Sequence, residues 1–302
     1  MRIAYLDITC GIAGDMFLAA LLDAGCDRAA LEDQLRRLPI ADEFELEVNR
    51  VRRGALMGAH LEVKTGPPAP HAHGRSYSEI VQMIRGANLT PRVQRSAVEV
   101  FTAIGEVEAY LHGSTIEEIH FHEVGAVDSI VDIVGACAAI ELLGIEAIYS
   151  SAITDGSGIL ECAHGVMPVP APATLELLKG APLVSCDIPY ELVTPTGAAL
   201  LRQFCKGYGP RPGMIVEAVG YGAGTREIAE RPNLLRVSIG ESFLSGPERV
   251  IAHVHTHDLG HAHDHDHVHS HSVPHSHDHD HDRTPEHDHA HPDHDQIHDR
   301  EG

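Results

Sequence analysis

The chain has 302 residues, of which 43% are hydrophobic, and a formal net charge of −22. This length allows one large domain or two ordinary ones, each with an apolar core. The negative charge argues against nucleic-acid backbones as partners. No run of eighteen apolar residues is present, which excludes a membrane-spanning helix from the sequence pattern. The first residues lack the long apolar stretch of a secretory signal, so we expect a cytoplasmic protein.

In chain order, the pattern of apolar residues predicts a mixture of strands and helices. The predicted elements are a strand over 2–9, helices over 16–23 and 28–38, two antiparallel strands over 44–51 and 55–63, helices over 77–85 and 91–111, a strand over 116–122, an apolar helix over 127–143, and a helix over 198–204. Short strands and helices alternate after residue 145, and the glycine-rich segment 220–225 is expected to form a bend. The mixture indicates an α/β fold class, with α+β as the alternative.

The composition changes sharply at about residue 252, which predicts a globular region over 1–252 and a separate tail over 253–302. The tail holds 18 of the 25 histidines, mostly alternating with aspartate. It has almost no aliphatic residues and cannot bury enough apolar surface to offset its chain entropy, so we expect disorder.

The alternation of histidines in the tail has a chemical consequence. Side chains two residues apart lie on the same side of an extended chain, so two imidazoles can meet one cation. Imidazole nitrogen suits nickel, copper and zinc, and several exchangeable sites are expected. A low-complexity repeat that binds metal only incidentally is the alternative. The densest run of such histidines is His261, His263, His265 and His267.

The densest cluster of chemistry-bearing residues in the globular region lies over 117–132. His120 and His122 share one face of the predicted strand, and Asp128 and Asp132 share one face of the helix that follows. The short link between them allows these faces to meet, which would place two imidazoles and one or two carboxylates around a divalent first-row metal. The alternative is that Asp128 caps the helix and the histidines lie on the surface.

Two further segments join a loop to the start of a predicted helix. The strand containing Asp7 leads into the loop Gly11–Gly14, whose backbone N–H groups either face an anion or form an ordinary turn. Asp15 is expected as the N-cap of the next helix. Thr196 is positioned to cap the helix over 198–204, and with Thr194 it offers two hydroxyls to a phosphate or carboxylate.

Five segments resemble, in this order, the LarC family, the nickel insertion proteins of nickel-pincer cofactor biosynthesis. They are Gly-Ile-Ala-Gly-Asp-Met, His-Phe-His-Glu-Val-Gly-Ala-Val-Asp-Ser-Ile-Val-Asp, His-Gly-x-x-Pro-Val-Pro-Ala-Pro-Ala, Glu-Leu-Val-Thr-Pro-Thr-Gly-Ala-Ala and Gly-Tyr-Gly-Ala-Gly-Thr. The resemblance covers roughly residues 1–240. It implies a nickel chelatase or cyclometallase of the lyase class, acting on pyridinium-3,5-bisthiocarboxylic acid mononucleotide, with CTP as co-substrate and manganese or magnesium as helper cation.

The resemblance also implies roles for particular residues. His120, His122 and Glu123 are expected to form the metal-handling and catalytic group, with Asp128 as a further ligand. A carbon–nickel bond requires loss of a ring proton, so a base must lie near that carbon, and His164 is a candidate for proton transfer. Asp7 and Asp15 are candidates for binding a hard cation or for ordering their loop. Gly11, Gly14, Thr194 and Thr196 are the expected cofactor-binding residues, and the two threonines, like His164, are candidates for substrate contact or proton transfer.

Members of the LarC family continue beyond a histidine-rich segment into a C-terminal domain associated with nucleotide binding. We therefore expect a companion polypeptide to supply that part, and a homo-oligomeric assembly. Two other functions stay open from the sequence. One is a non-catalytic nickel or zinc chaperone whose tail stores metal, and the other is a metal-dependent hydrolase built on the His-x-His and aspartate cluster.

Overall fold

The computed structural model of the protein describes residues 1–66, 74–121, 124–162 and 165–243. Within these residues lie thirteen strands and seven α-helices. The strands are β1 (Arg2–Asp7), β2 (Phe44–Arg53), β3 (Leu56–Thr65), β4 (Arg75–Ser76), β5 (His120–Phe121), β6 (Ala147–Ser150), β7 (Ile153–Asp155), β8 (Ile159–Cys162), β9 (Gly165–Pro168), β10 (Leu183–Ser185), β11 (Cys205–Tyr208), β12 (Met214–Ala223) and β13 (Leu234–Ser242). The helices are α1 (Gly14–Asp23), α2 (Arg28–Leu35), α3 (Tyr77–Gly86), α4 (Pro91–His112), α5 (Val127–Leu142), α6 (Pro172–Leu177) and α7 (Pro195–Phe204).

Seven of the described strands form one mixed sheet in the order β11-β6-β1-β13-β12-β3-β2. On one side, β11, β6 and β1 run parallel, which requires crossover connections that the helices provide. On the other side, β1 is antiparallel to β13, and β2 and β3 form an antiparallel pair of ten residues each. The predicted α/β fold class is confirmed. No helix among the described residues is long and apolar enough to cross a lipid bilayer.

Helix α5 lies at the centre of the core. Every residue from Ile130 to Ile140 is buried, as expected for a helix that is apolar on all sides. Helix α1 packs between α5 and the sheet, where it covers β12 and β3. Two glycines of β12 permit this approach, since a Cβ atom on Gly222 would lie 1.8 Å from the Met16 carbonyl oxygen and one on Gly220 would lie 2.1 Å from that of Ala20. The predicted bend over 220–225 is therefore wrong for its first four residues, which end a strand.

Two other local predictions are wrong for identifiable reasons. The strand predicted over 116–122 begins instead as a 3-10 turn, Ile116–Glu118, because the Glu118 carboxylate accepts hydrogen bonds from the Thr115 N–H and the Ser114 hydroxyl. Within the described part of that segment, the strand β5 covers two residues, and they pair with β4. Asp15 is not the N-cap of α1: that position is Ala13, and Asp15 lies in the first helical turn.

The tail predicted over 253–302 lies outside the described residues, so the two-region organisation stays a prediction.

Candidate functional site

The loops that lead into α1 and α7 are held side by side by backbone hydrogen bonds. The N–H of Ile12 donates to the Leu192 carbonyl at 3.0 Å, and the N–H of Thr194 donates to the Ile12 carbonyl at 3.1 Å. At Gly197 the contact leaves no room for a side chain, because a Cβ atom there would lie 2.2 Å from the Ile12 carbonyl oxygen. A Cβ on Gly11, whose φ is +74°, would lie 2.0 Å from that of Leu192. Two helix starts that are distant in sequence thus form one rigid junction.

Asp155 anchors one side of this junction. Its Oδ1 accepts hydrogen bonds from the N–H groups of Gly156, Leu192 and Val193 at 2.7, 2.9 and 3.1 Å. The side chain is fully buried, and within the described part of the chain its Oδ2 has no hydrogen-bond partner. Burial raises the pKa of this carboxyl above its ordinary value, and the three N–H donors oppose that shift. Sequence analysis did not single out Asp155, because no motif marks a carboxylate that binds backbone.

The two threonines of α7 occupy different positions from those expected. Thr194, not Thr196, is the N-cap, and its hydroxyl accepts the Gly197 N–H at 3.3 Å. The Thr196 Oγ1 lies 2.8 Å from the Thr194 Oγ1 and accepts the Gly14 N–H at 3.3 Å. Both hydroxyls therefore lie at the junction of α1 and α7, next to Gly14.

Three carboxylates near the starts of α1 and α5 interact electrostatically beside this junction: Asp15 and Asp128 lie in the first turns of their helices, and Asp132 lies one turn further into α5. Asp15 Oδ1 accepts the Met16 N–H at 2.8 Å, and Asp128 Oδ1 accepts the Ser129 N–H at 2.8 Å. Asp132 is 8% exposed, and the backbone N–H of Asp15 acts to lower the pKa of its carboxyl. Its Oδ1 is buried and has no hydrogen-bond partner among the residues that the structure describes.

The electrostatics of these carboxylates disfavour three negative charges at once. Burial raises the pKa of Asp132 well above its ordinary value, and the neighbouring charges of Asp15 and Asp128 raise it further. Burial also raises the pKa of Asp15, against the opposing effects of the Met16 N–H and of His60. The site therefore has an excess of negative charge that a cation or a proton must compensate.

His60 is the histidine that acts to lower the pKa of Asp15 in this cluster. It lies on β3, and its Nε2 is 3.4 Å from the Thr225 Oγ1. Sequence analysis missed it, since a single histidine in an alternating strand has no motif around it. Only the packing of β3 against α1 brings it near Asp15.

A cavity of about 390 Å³ lies next to the start of α7, a size within the range of small-molecule sites. It is lined by apolar side chains and by side chains of types that can bind metal ions. The lining residues that matter for chemistry are His120, Cys162, Met167, Glu191 and Pro195. Pro195 stands between Thr194 and Thr196, so the cavity wall and the helix junction share one segment.

Comparison with known proteins shows to which family the chain belongs. The model of the family described as nickel insertion protein matches residues 4–274 of this chain. The chain belongs to the nickel insertion protein family. This confirms the resemblance to LarC proteins. No solved structure matches the chain.

Relatives of this nickel insertion family cover most of the chain. The pyridinium-3,5-bisthiocarboxylic acid mononucleotide nickel insertion protein of Desulfitobacterium hafniense (strain DSM 10664 / DCB-2) is 47% identical over 241 residues, which are 80% of this chain and 59% of that protein. The protein of the same name from Geobacillus kaustophilus is 45% identical over 249 residues, with 80% and 60% covered. A putative nickel insertion protein of Myxococcus xanthus is 50% identical over 240 residues, with 79% and 60% covered. The chain thus spans about three fifths of the length of these relatives.

The site residues predicted for a nickel insertion protein fall into separate places. Asp15 lies in the carboxylate cluster with Asp128, whereas His120 lines the cavity. Asp7 stands apart at the end of β1, where its Oδ2 accepts hydrogen bonds from Arg236 and Arg211 at 2.8 and 3.2 Å. Among the residues that the structure describes, no group of three or more His, Cys, Asp or Glu side chains is spaced to hold a metal ion.

Several predicted residues lie outside the described part of the chain, and their roles stay predictions. They are His122, Glu123, His164, His261, His263, His265 and His267.

Proposed function

We propose that this chain carries the nickel-insertion step on pyridinium-3,5-bisthiocarboxylic acid mononucleotide. The observation that carries the proposal is the 47% identity, over 80% of this chain, to a protein named for that reaction. The cavity beside α7 supports it, because a flat ring with two sulfur-bearing arms needs apolar walls with a few polar groups. Leu160 and Met167 offer such walls, and the imidazole of His120 faces the same space.

The reaction requires a proton acceptor as well as ligands for nickel. A ring C–H bond breaks, its proton goes to a base, and the carbon electron pair forms the bond to nickel, which the two thiocarboxylate sulfurs also bind. Nickel is a substrate here, so it must arrive on ligands that release it. His120, together with His122 and Glu123, is proposed to pass nickel to the substrate, with His164 as a candidate base. Imidazole and thiolate ligands suit nickel, and Cys162 adds a thiol to the cavity.

The helper cation and the nucleotide belong to the same proposal. Manganese or magnesium prefers oxygen ligands, and the carboxylates of Asp15 and Asp128 have the right chemistry for it. Bound there, the cation would supply positive charge for a phosphate. We propose that CTP dependence requires the part of the relatives' length that this chain does not span.

A non-catalytic nickel or zinc chaperone is the second candidate. It is favoured by the concentration of 18 histidines in the last fifty residues. In this alternative the folded region only docks to a client, and the tail stores and delivers metal.

An insertion assay separates the two candidates. The full chain, a variant lacking 253–302 and the variant His120→Ala are each mixed with the mononucleotide, nickel, CTP and manganese, with and without a C-terminal domain taken from a relative. The nickel adduct is then sought by mass spectrometry. The enzyme proposal expects product from the full chain with the added domain, a higher nickel requirement without the tail, and no product from His120→Ala.

The chaperone candidate expects the reverse result. Removing the tail would then abolish delivery, whereas His120→Ala would leave it intact. Failure of every mixture to form adduct, even at high nickel, would overturn the enzyme proposal.

A further inference from the structure

Asp7, at the carboxyl end of β1, lies between two arginines that come from distant parts of the chain. Its Oδ2 accepts hydrogen bonds from Nε of Arg236 at 2.8 Å and from Nη2 of Arg211 at 3.2 Å. One carboxylate balances one guanidinium group, so these three side chains carry a surplus positive charge. This surplus lies in a chain whose formal net charge is −22. The arrangement therefore favours an anion, rather than a further cation, as a ligand beside Asp7.

Arg211 is held in place through both its backbone and its side chain. It lies between Pro210 and Pro212, and proline restricts its own φ as well as the conformation of the residue before it. The loop is fastened at its start, because the Tyr5 hydroxyl donates to the Gly209 carbonyl at 2.8 Å. The guanidinium carbon lies 5.2 Å from the centre of the Tyr5 ring, which is a cation–π contact. A side chain positioned in this way loses little conformational freedom when it binds a ligand.

Arg236 is fixed by its place on β13. The register of the sheet puts it directly opposite Asp7 of β1 and opposite Tyr221 of β12. Hydrogen bonding to Asp7 raises the pKa of Arg236, and Tyr221 acts in the same direction, so the guanidinium stays charged at every pH at which the protein is folded. The side chains of Arg211 and Arg236 are 38% and 44% exposed, so a ligand can reach both from solvent.

The two arginines lie at an edge of the sheet where ligands commonly bind. Strands β1, β6 and β11 are parallel; Asp7 ends β1, and Arg211 follows the end of β11. Ligands of open α/β sheets bind outside the carboxyl ends of such strands. Neither arginine is among the described residues that line the cavity beside α7. The arginine pair is therefore separate from that cavity.

The charges near Asp7 select the class of anion. A third guanidinium, that of Arg231, donates from Nη1 to the Thr9 carbonyl at 2.8 Å, two residues beyond Asp7. Three guanidinium groups and one carboxylate leave two positive charges, which match the dianion of a phosphate monoester better than the single charge of a carboxylate. The planar fork of a guanidinium also matches two phosphate oxygens. Arg211 has donors for them, since it makes no second hydrogen bond to the residues that the structure describes.

We propose that Arg211 and Arg236, held together by Asp7, form a binding site for the phosphate group of a nucleotide, with Arg231 adding positive charge. The phosphate oxygens accept hydrogen bonds from the two guanidinium forks, and Asp7 keeps the forks at a fixed separation. A pyridinium mononucleotide and a nucleoside triphosphate share this phosphate chemistry, and the experiment below distinguishes them. The site itself does not depend on the proposed nickel insertion.

Chemical modification of arginine tests this site without any activity assay. The full chain is treated with phenylglyoxal, which reacts with guanidinium groups, and the rate at each arginine is measured by mass spectrometry of peptides. The added ligands are inorganic phosphate, the pyridinium mononucleotide and CTP, each compared with sodium chloride at equal ionic strength. A chelator is present throughout, so that metal bound by the tail histidines cannot bridge to phosphate.

The expected result is protection of two particular arginines. At a ligand concentration about ten times Kd, Arg211 and Arg236 should react about tenfold more slowly, because about a tenth of the sites are then empty. Arg95, which is exposed on α4, is the reference and should react at an unchanged rate. Protection at a lower concentration by the mononucleotide than by CTP assigns the site to the mononucleotide, and the opposite order assigns it to the triphosphate.

Two variants at Arg236 separate charge from geometry. Arg236→Gln removes the charge and should weaken binding of the protecting ligand about tenfold or more, whereas Arg236→Lys keeps the charge without the fork and should lie between Arg236→Gln and wild type. Arg95→Gln is the matched control and should bind as wild type does. Thermal melting provides the second readout: the ligand should raise the melting temperature of wild type and of Arg95→Gln, but not of Arg236→Gln.

Equal rates at Arg95, Arg211 and Arg236 with all three ligands, or unchanged binding in Arg236→Gln, would overturn the site. Protection by inorganic phosphate alone would overturn its assignment to a nucleotide. If Arg236→Gln fails to fold, Arg211→Gln, in a loop, takes its place with the same expected results. These outcomes are independent of the insertion assay: protection without nickel adduct retains the site and rejects the proposed function, and adduct without protection does the opposite.

Discussion

A Cβ atom on Gly14 would lie 2.9 Å from the Cβ of Asp132, closer than non-bonded carbon atoms approach in folded proteins. The missing side chain at Gly14 therefore sets how near the start of α1 comes to α5. This distance in turn keeps the first turn of α1 close to Asp132, where the backbone N–H of Asp15 acts to lower the pKa of the Asp132 carboxyl. One glycine thus controls the geometry of the acidic cluster.

Gly14→Ala should be destabilising although alanine favours helices. We expect the free energy of unfolding to fall by about 1–3 kcal/mol, because the added methyl group forces Asp132 or Thr196 to move. Urea denaturation measures the change. Gly86→Ala, at the end of α3 with no atom within 4 Å of the added Cβ, is the control and should be neutral or slightly stabilising. Equal stability of Gly14→Ala and wild type would show that the junction relaxes freely.

The fold should stay stable when the Asp155 carboxylate is replaced by an amide, and should lose stability when it is replaced by a methyl group. Asp155→Ala leaves the N–H groups of Gly156, Leu192 and Val193 without their acceptor, and we expect a loss of about 2–4 kcal/mol in the free energy of unfolding. Asp155→Asn retains an oxygen for these donors and removes the buried charge, so it should be close to wild type at neutral pH. Equal losses in both variants would contradict the role of the oxygen as acceptor.

The difference in the free energy of unfolding between wild type and Asp155→Asn should depend on pH, and the raised pKa of Asp155 fixes the sign of that dependence. Burial raises the pKa of Asp155, so the folded protein binds this proton more tightly than the unfolded chain. The resulting stability is complete below the unfolded pKa of about 3.9 and is lost as pH rises through the folded pKa. Wild type should therefore lose stability relative to Asp155→Asn as pH increases from about 4 toward neutral. Urea denaturation at a series of pH values measures this difference, and a constant difference would refute it.

Long elements with a clear pattern were predictable from sequence. Helix α4 begins at Pro91 and α5 begins at Val127, as predicted, because a proline in the first turn and an unbroken apolar run are local signals. The pairing of β2 with β3 was also predicted, since the alternation and the Arg-Arg-Gly turn lie within one short segment.

The arrangement of the site was not predictable in the same way. His60 comes to Asp15 through the packing of β3 on α1, and Asp7 meets Arg211 from a loop and Arg236 from a strand, both more than 200 residues later in the chain. Such contacts depend on strand order and on close helix packing, which local residue patterns do not encode. The Asp155 anchor depends on a buried turn in the same way.

Cysteine alkylation should report on occupancy of the cavity. Burial raises the pKa of Cys10 and Cys26 to about 11, so these thiols should react slowly at neutral pH. Cys162 lines the cavity, whereas Cys186 is similarly half-buried but lies outside it. The mononucleotide substrate should slow alkylation of Cys162 by N-ethylmaleimide and leave Cys186 unchanged. Mass spectrometry of tryptic peptides measures both rates, and equal protection of the two thiols would contradict binding in this cavity.

Nickel capacity should depend on the tail and on pH. Removing 253–302 deletes 18 of the 25 histidines, so the number of nickel ions bound per chain should fall from several to about one or none. Imidazole must be neutral to bind metal, and a free imidazole has a pKa of about 6.5, so acidification from pH 7.5 to 5.5 should release nickel from the full chain. Equilibrium dialysis of both proteins at the two pH values measures this. The truncated protein keeps His120 and Cys162 in the cavity. Nickel that stays bound after truncation and at pH 5.5 would therefore identify a site in the folded region. Loss of that nickel in His120→Ala would assign the site to the cavity.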